Sequence, residues 1–294
     1  MGMKRKLSAG LAIAALGLST AVSGATASEN PILQDVKDGT AKRLVYEVEA
    51  VAYLLFIPVT GKADFEILMD DSTYRMNTLV KTTGIADLFV DYDMRIAASG
   101  YITDNGLQTY NYISQNNDGK KNRRVEMTYR SDDVDMVATP AFGNLGFPPA
   151  TPEQKLQALD PITALMNAAF QPQPADNPCG QAIQTFDGRQ LTRLDFRYIG
   201  ETNVKTKGYK GKAVECHVDL TRVAGYKKGD KGGNLSGIEG PMKIYFGEPM
   251  EGFRPMVKFV VDTKDVGKIT LSTKKIRLED MPQSASNEPA SSAG

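Results

Sequence analysis

The sequence has little of the chemistry that many enzymes use, because its 294 residues include one histidine and two cysteines. A metal site built from several histidines is therefore excluded. Any Ser-His-Asp or Cys-His site would have to use His217. That residue alternates with Glu215 and Asp219 on the predicted solvent face of a strand, where it has no pocket. We therefore predict no catalytic residue, no metal site and no cofactor, and a proton-relay role for His217 is the alternative.

Long apolar runs are also scarce, and the clearest one lies at the start of the chain. Leu7 to Val22 follows the basic segment 4–6 and precedes the small residues Ala25-Thr26-Ala27. This order is typical of a cleavable export signal. We predict that residues 1–27 are a signal peptide and that the mature protein is periplasmic, with an uncleaved anchor as the alternative. No later run is long enough to span a membrane, so we predict no transmembrane segment in the mature chain.

The charge balance shows no surplus of basic residues. The chain has 35 basic and 35 acidic residues, and removing the three basic residues of segment 4–6 leaves 32 against 35, a net charge of −3. A nucleic-acid partner would require a basic surplus on one face. We therefore expect no nucleic-acid partner.

The two cysteines are Cys179 and Cys216. In an oxidising compartment an even number of cysteines favours a disulfide, so we predict that these two residues are bonded. In the run AVECHVDLTRV, Cys216 shares the inward face of a strand with Val214 and Val218. A free catalytic thiol is the alternative.

Period-two alternation recurs along the chain, for example in segments 43–50 and 192–198, and Asp-Gly or Asn-Gly turns separate the runs. We predict roughly a dozen strands, mostly antiparallel, which tend to curl or close because open twisted sheets rarely exceed about 10 strands. The block 151–170 has capping signals at Thr151 and at Asp160-Pro161, so it should form two short helices. The fold class is thus mainly β (α+β): a large curved antiparallel sheet or open barrel with a short helical segment packed on its concave side.

The domain organisation follows from these patterns. Residues 28–42 are expected to be a disordered leader, 43–280 a single β-rich domain and 281–294 a disordered tail.

Several local motifs have both a functional and a plain interpretation. The carboxylate groups could serve acid-base chemistry or calcium, but solvated strand ends are favoured because the spacing of a calcium loop is absent. The glycine-rich stretch 225–241 lacks the features of a phosphate-binding loop and is interpreted as a long hairpin connection. The basic cluster is interpreted as a charged hairpin tip, with contact to an anionic lipid or glycan as the alternative. The carboxylate groups are Asp70-Asp71, Asp91-Tyr92-Asp93 and Asp132-Asp133-Val134-Asp135, and the basic cluster is Lys120, Lys121, Arg123 and Arg124.

The second helix carries an apolar stripe at helical spacing, formed by Ile162, Leu165, Met166 and Phe170. Such a stripe most simply packs against a sheet as core. An apolar helix across the mouth of a curved sheet is also the geometry of a carrier for an acyl chain. These four residues are therefore the candidate ligand-binding residues.

The order and spacing of several segments resemble the exported bacterial family catalogued as domain of unknown function 3108. The resemblance covers residues 43 to 278 and rests on TGIADLF at 83–89, SGYITDNGLQTYNY at 99–112, LDPITALMNAAF at 159–170, CGQAIQTFDGRQ at 179–190, Cys216 and the closing segment 253–278. It implies an envelope location and a β-rich fold, and it supplies no established activity. In shape the family is distantly similar to the open half-barrels of periplasmic lipoprotein carriers, which is an analogy of fold.

The sequence thus predicts a non-enzymatic periplasmic protein of the cell envelope that binds or carries a lipid or another apolar envelope ligand. The alternative function is a carboxylate-dependent enzyme that acts on an envelope polymer, with two carboxyl groups about 5 to 10 Å apart in a cleft.

Overall fold

The structure is a computed structural model that describes residues 30–54, 57–83, 92–118, 122–173, 176–229, 237–264 and 267–282. The predicted signal peptide and residues 283–294 of the predicted tail lie outside the described residues. No helix in the described ranges is long and apolar enough to cross a membrane.

The described residues form three helices and thirteen strands. The helices are α1 (Pro31–Lys37), α2 (Pro152–Leu156) and α3 (Pro161–Phe170). The strands are β1 (Lys42–Leu54), β2 (Ile57–Asp70), β3 (Thr73–Thr83), β4 (Asp93–Thr103), β5 (Gly106–Asn116), β6 (Arg124–Tyr129), β7 (Val134–Thr139), β8 (Ile183–Phe186), β9 (Leu191–Lys205), β10 (Lys210–Ala224), β11 (Ile238–Gly247), β12 (Met256–Thr263) and β13 (Gly267–Asp280).

All thirteen strands belong to one antiparallel sheet in the order β7-β6-β5-β4-β3-β2-β1-β13-β12-β11-β10-β9-β8. Neighbours in this order are also neighbours in sequence except at the centre, where β1 pairs with β13. Leu44 on β1 lies opposite Ile67 on β2 and Leu278 on β13. The sheet is not closed, because β7 and β8 form its two ends and do not pair with each other among the described strands.

The sheet curls so that its two ends approach each other. Gly188 lies in the turn between β8 and β9, and a Cβ atom at this position would be 2.4 Å from Val125 on β6 and 3.5 Å from Met136 on β7. Its φ of 95° also favours glycine. The large curved sheet predicted from the strand pattern is therefore confirmed, and this contact requires a residue without a side chain.

The block 151–170 forms two short helices, as its capping signals predicted. Thr151 and Gln154 make a reciprocal capping box at α2. Asp160 caps α3 by accepting hydrogen bonds from the backbone N–H groups of Ile162 and Thr163. The helix α3 lies on the inner face of the sheet, where Asn167 accepts a 2.7 Å hydrogen bond from the N–H of Leu107 on β5.

The expectation of a disordered leader at 28–42 is wrong for its central part. Residues 31–37 form α1, which buries Ile32, Leu33 and Val36 in the main core. Asn30 caps the helix and also donates hydrogen bonds to the carbonyls of Phe170 and Gly252. These contacts are to residues more than a hundred positions away, so tertiary packing stabilises a helix that is too short to form alone.

The structure contains the predicted disulfide between Cys179 and Cys216, with 6.0 Å between the Cα atoms. Cys216 is fully buried on β10, and Cys179 lies in the connection between α3 and β8. The bond therefore fastens the connection that leaves α3 to a core strand.

Candidate ligand-binding site

The four candidate ligand-binding residues of α3 lie in the core. Ile162, Met166 and Phe170 are 6%, 0% and 1% exposed, and Leu165 is partly buried against the same cluster. The ring of Phe170 packs against that of Phe253 with 5.0 Å between centroids. In this conformation these side chains offer almost no surface to a ligand, so binding at them would require the core to open.

The inner face of the sheet is defined by the side chains that point towards α3. On β1 these are Leu44, Tyr46 and Val48, all buried. The same face of the neighbouring strands carries Ile67 and Met76, which are also buried. At this end of the sheet the inner face, α1 and α3 fill the interior together.

Towards the other end of the strands the inner face stays apolar but becomes partly exposed. From Val48 onwards along β1, Val48 lies opposite Ala63 on β2, and Ala50 lies opposite Leu271 on β13, all on the inner face. We call the partly exposed apolar side chains of this part of the inner face the apolar rim. It consists of Ala63, Met94, Phe196, Met242, Phe259 and Leu271, which are partly buried and packed against the main core.

The apolar rim extends over both halves of the sheet. Ala63 and Met94 belong to β2 and β4, and the other four residues belong to β9, β11, β12 and β13. Leu271 lies opposite Phe259 across β12 and β13. The connections 84–91, 230–236 and 265–266, which join strands at this end, lie outside the described residues.

The outer face of the same strands is charged. Glu47 on β1 forms a 3.0 Å ion pair with Lys274 on β13, and Lys62 pairs with Asp64 along β2. Alternation along each strand therefore separates a charged outer surface from an apolar inner one. On the outer face, apolar side chains such as Val45 and Leu79 lie among these charged groups, whereas the inner face is mainly apolar.

A buried polar cluster anchors α3 to the sheet. Asp160 is fully buried and accepts three hydrogen bonds, two from backbone N–H groups of α3 and one of 2.6 Å from the Thr109 hydroxyl on β5. Tyr74 and Thr163 share a 2.8 Å hydrogen bond beside it. Burial raises the pKa of the Asp160 carboxyl. Because all its contacts are internal, Asp160 has a structural role in positioning the helix.

Asp187 is a partly buried carboxylate. It accepts hydrogen bonds from the backbone N–H groups of Arg189 (2.9 Å) and Gln190 (2.6 Å) in the turn between β8 and β9. Burial also raises the pKa of this carboxyl. Asp187 therefore closes the turn that Gly188 brings against β6 and β7.

With this geometry established, comparison with known proteins identifies the family. The family described as "Protein of unknown function (DUF3108)" matches residues 45–273. The chain belongs to this family. No curated protein matches the sequence.

Two solved structures are similar to the chain. One is described as a beta-barrel-like protein of domain of unknown function DUF1849 from Brucella abortus, with 11% identity, a TM-score of 0.45 and coverage of 82% of this chain and 98% of that one. The other is a DUF1329 family protein from Desulfovibrio piger, with 10% identity, a TM-score of 0.27 and coverage of 84% and 88%. Neither description states a ligand or an activity.

The carboxylate groups considered from sequence do not come together in a cleft where they are described. Asp133 forms a 2.5 Å ion pair with Lys155, and Asp135 pairs with Arg130 at the same distance. Asp70 and Asp71 lie at the turn between β2 and β3, and Asp91 lies outside the described residues. The geometry of the described groups is that of surface ion pairs and turns.

His217 lies on the face of β10 opposite Cys216, as alternation requires. Its Nδ1 is 3.2 Å from Nη2 of Arg197, and its Nε2 is 3.9 Å from Glu215. Within the described ranges no group of three or more His, Cys, Asp or Glu side chains could hold a metal ion.

The basic hairpin tip is described in part. Arg123 donates a 3.0 Å hydrogen bond to the carbonyl of Pro140 and lies 4.5 Å from the ring centroid of Phe142. Arg124 forms a 2.7 Å ion pair with Glu126. Lys120 and Lys121 lie outside the described residues, as do residues 230–236 of the glycine-rich connection.

Sequence reasoning missed the apolar rim as the accessible part of the inner face. The alternating pattern identifies inward-facing residues such as Leu271, but it contains no signal for how far α3 reaches along the sheet. The exposure of Phe259 depends on which distant segments pack over it, and the position of such segments is set by tertiary contacts such as that between Leu107 and Asn167.

Proposed function

We propose that this protein is a non-enzymatic protein of the bacterial cell envelope that binds an apolar ligand, such as an acyl chain, along the apolar rim. The export signal predicted at residues 1–27 supports a periplasmic location for the proposal, and a disulfide is the form that cysteines take in that compartment.

The observation that carries the proposal is the change in exposure along the inner face. Its side chains are fully buried in the core that also contains α1 and α3, as at Leu44 and Met76, and are apolar but partly exposed at the rim, as at Phe259 and Leu271. When a ligand covers apolar surface inside a curved sheet, removing that surface from water favours binding by about 25 cal/mol per Å².

The size of this effect decides which ligands are suitable. An acyl chain with about fifteen methylene groups gains about 12 kcal/mol at about 0.8 kcal/mol each. Association costs at least about 4 kcal/mol, which leaves about 8 kcal/mol and a micromolar Kd. A chain half as long would leave too little free energy for measurable binding. The proposed ligand is therefore a long-chain lipid or lipid-like molecule.

Titration with a fluorescent sixteen-carbon fatty acid tests the proposal. We expect saturable binding to the chain without residues 1–27, and binding at least about tenfold weaker in Phe259→Asp and Met242→Asp, because a charge in the rim must be desolvated when the chain binds. Val137→Asp is the matched control, since Val137 is 61% exposed on the edge strand β7. Equal affinity in the rim and control variants, with folding checked by circular dichroism, would contradict the proposal.

A further inference from the structure

A second concave site lies on a different part of the molecule. It is a cleft of about 730 Å³ between the turn that joins β9 to β10 and the connection that joins β11 to β12. Its lining includes Gln173, Tyr209, Lys210, Lys212, Glu248 and Arg254. None of these residues belongs to the apolar rim, although Phe196 of the rim and Arg254 both line a smaller pocket that shares Gln173 and Phe246 with this cleft.

The wall formed by the β9–β10 turn is held in place by specific contacts. The Tyr209 hydroxyl donates a hydrogen bond to the Lys212 carbonyl. The Tyr209 ring covers Gly247, where a Cβ atom would be 2.4 Å from the ring. The N–H of Gly208 donates a 3.0 Å hydrogen bond to the carbonyl of Thr273 on β13. The cleft is therefore preformed and does not depend on a ligand to shape it.

Arg254 is the distinctive side chain of the cleft. Its backbone N–H donates a 2.7 Å hydrogen bond to the Ala169 carbonyl near the end of α3, which fixes the position of the residue. The side chain is partly buried, and burial lowers the pKa of its guanidinium. Its guanidinium forms no salt bridge and donates no hydrogen bond within the described part of the chain.

A partly buried guanidinium without a partner is costly, because it loses hydration and gains no compensating contact. Glu248 and Glu201 favour its charged form through space, but neither forms an ion pair with it. Three basic side chains, Lys210, Lys212 and Arg254, face these two acidic ones in the lining. The formal charge of the lining is thus positive by one, and the guanidinium of Arg254 brings N–H donors that no protein group within the described part of the chain accepts.

We propose that this cleft binds an oxyanion, such as a phosphate or carboxylate group, and that Arg254 is its principal ligand. The planar guanidinium matches such a group with two parallel hydrogen bonds, a geometry that lysine cannot reproduce. Lys210 and Lys212 add positive charge to the lining, and Lys212 also lies 3.8 Å from Glu201.

The alternative role for Arg254 is purely structural, with the side chain packed beside the end of α3 and solvated by water. That role predicts no saturable response to an oxyanion. The two roles are separable because a structural arginine affects stability, whereas a ligand-binding arginine also affects affinity for the anion.

The test is a heteronuclear NMR titration of the ¹⁵N-labelled chain without residues 1–27, first with inorganic phosphate and then with acetate. Ionic strength is held constant with sodium chloride, because surface charges respond to salt without specific binding. We expect saturable shifts of the Gly208, Gly211 and Arg254 resonances. A response to phosphate alone identifies a phosphoryl ligand, a response to acetate alone identifies a carboxyl ligand, and a response to both supports a general oxyanion site.

Two variants and one control complete the experiment. Arg254→Gln should abolish the response. If that variant does not fold, Arg254→Lys is used instead, because it keeps the positive charge, and it should weaken binding by about tenfold or more. Arg95→Gln on the outer face should bind as the parent chain does, since Arg95 is exposed and lies on β4. Where phosphate binds, vesicles of phosphatidylglycerol distinguish a lipid headgroup from free phosphate. The proposal is overturned if neither anion gives a saturable shift or if the folded Arg254 variants bind like the parent.

Discussion

Thr109 on β5 donates its hydroxyl hydrogen to Asp160 at the start of α3, with 2.6 Å between the oxygen atoms and both residues buried. The same carboxylate caps the helix through the N–H groups of Ile162 and Thr163. One side chain therefore sets where α3 begins and where it sits on the sheet. Since α3 and α1 both pack into the core on the inner face, this contact helps to set which part of that face is covered.

Replacing Asp160 with alanine should lower the free energy of unfolding by about 2 to 4 kcal/mol, because a cap contributes about 1 and a buried donor left unpaired costs about 1 to 3. Urea denaturation measures the change. The matched control is Thr151→Ala at the exposed cap of α2, which should cost about 1 kcal/mol or less. Equal losses in the two variants would show that the buried contact with Thr109 adds nothing.

The pH dependence of stability should reveal the buried state of Asp160. Burial raises the pKa of its carboxyl above the ordinary value of 3.8. Between the two pKa values the folded chain keeps the proton that the unfolded chain has released. The contribution of Asp160 to the free energy of unfolding is therefore complete below about pH 3.8 and is lost as the pH rises through the raised pKa. The stability of the parent chain relative to Asp160→Asn should fall over that window.

The contribution of Asp133 to stability should change with pH in the opposite direction, and Asp133→Asn measures it. The ion pair with Lys155 lowers the pKa of the Asp133 carboxyl, so its contribution is present above the ordinary value and is lost as the pH falls through the lowered pKa. Urea midpoints at several pH values measure both differences. Parallel pH profiles for the two variants would contradict the assignment of Asp160 as a carboxyl destabilised by burial.

Changing Cys179 or Cys216 to serine should lower stability by roughly 4 kcal/mol, since the bond closes a loop with a sequence separation of 37 residues. Amide hydrogen exchange should increase first in the connection between α3 and β8, which the bond fastens to β10. Thiol labelling of the non-reduced, denatured parent chain should modify neither cysteine. Labelling of both would restore the free-thiol interpretation.

Replacing Asn30 with alanine should release α1, because Asn30 both caps the helix and donates hydrogen bonds to the carbonyls of Phe170 and Gly252. We expect a loss of about 2 to 3 kcal/mol, of which the cap accounts for about 1 and the lost contacts for the rest. Hydrogen exchange at Leu33 and Val36 measures the local effect. Gln34→Ala on the same helix, whose side chain bonds only Asp38 in the described contacts, is the control.

Local sequence signals predicted much of the fold. Alternation and turn residues identified the strands, and Thr151 and Asp160-Pro161 identified the two helices with the break between them. The same signal, a capping residue followed by proline, is present at Asn30-Pro31 and could have predicted α1. It was obscured by the short length of that helix and the polar residues around it.

The candidate site was less predictable, because it depends on contacts between distant parts of the chain. The pairing of β1 with β13 joins Leu44 to Leu278, and no local pattern specifies that register. Whether Arg254 forms an ion pair likewise depends on how far the folded chain places the nearest carboxylates from its guanidinium. Local patterns identified the inward-facing residues, whereas tertiary packing decides which of them a ligand can contact.

The most direct test of the proposed function is lipid analysis of the protein purified without detergent from the envelope of its own bacterium. Native mass spectrometry and solvent extraction should recover a long-chain lipid or lipid-like molecule in about one-to-one ratio, and the Phe259→Asp variant purified in parallel should carry none. Recovery of no such molecule from the parent chain, or equal recovery from the variant, would contradict binding along the apolar rim.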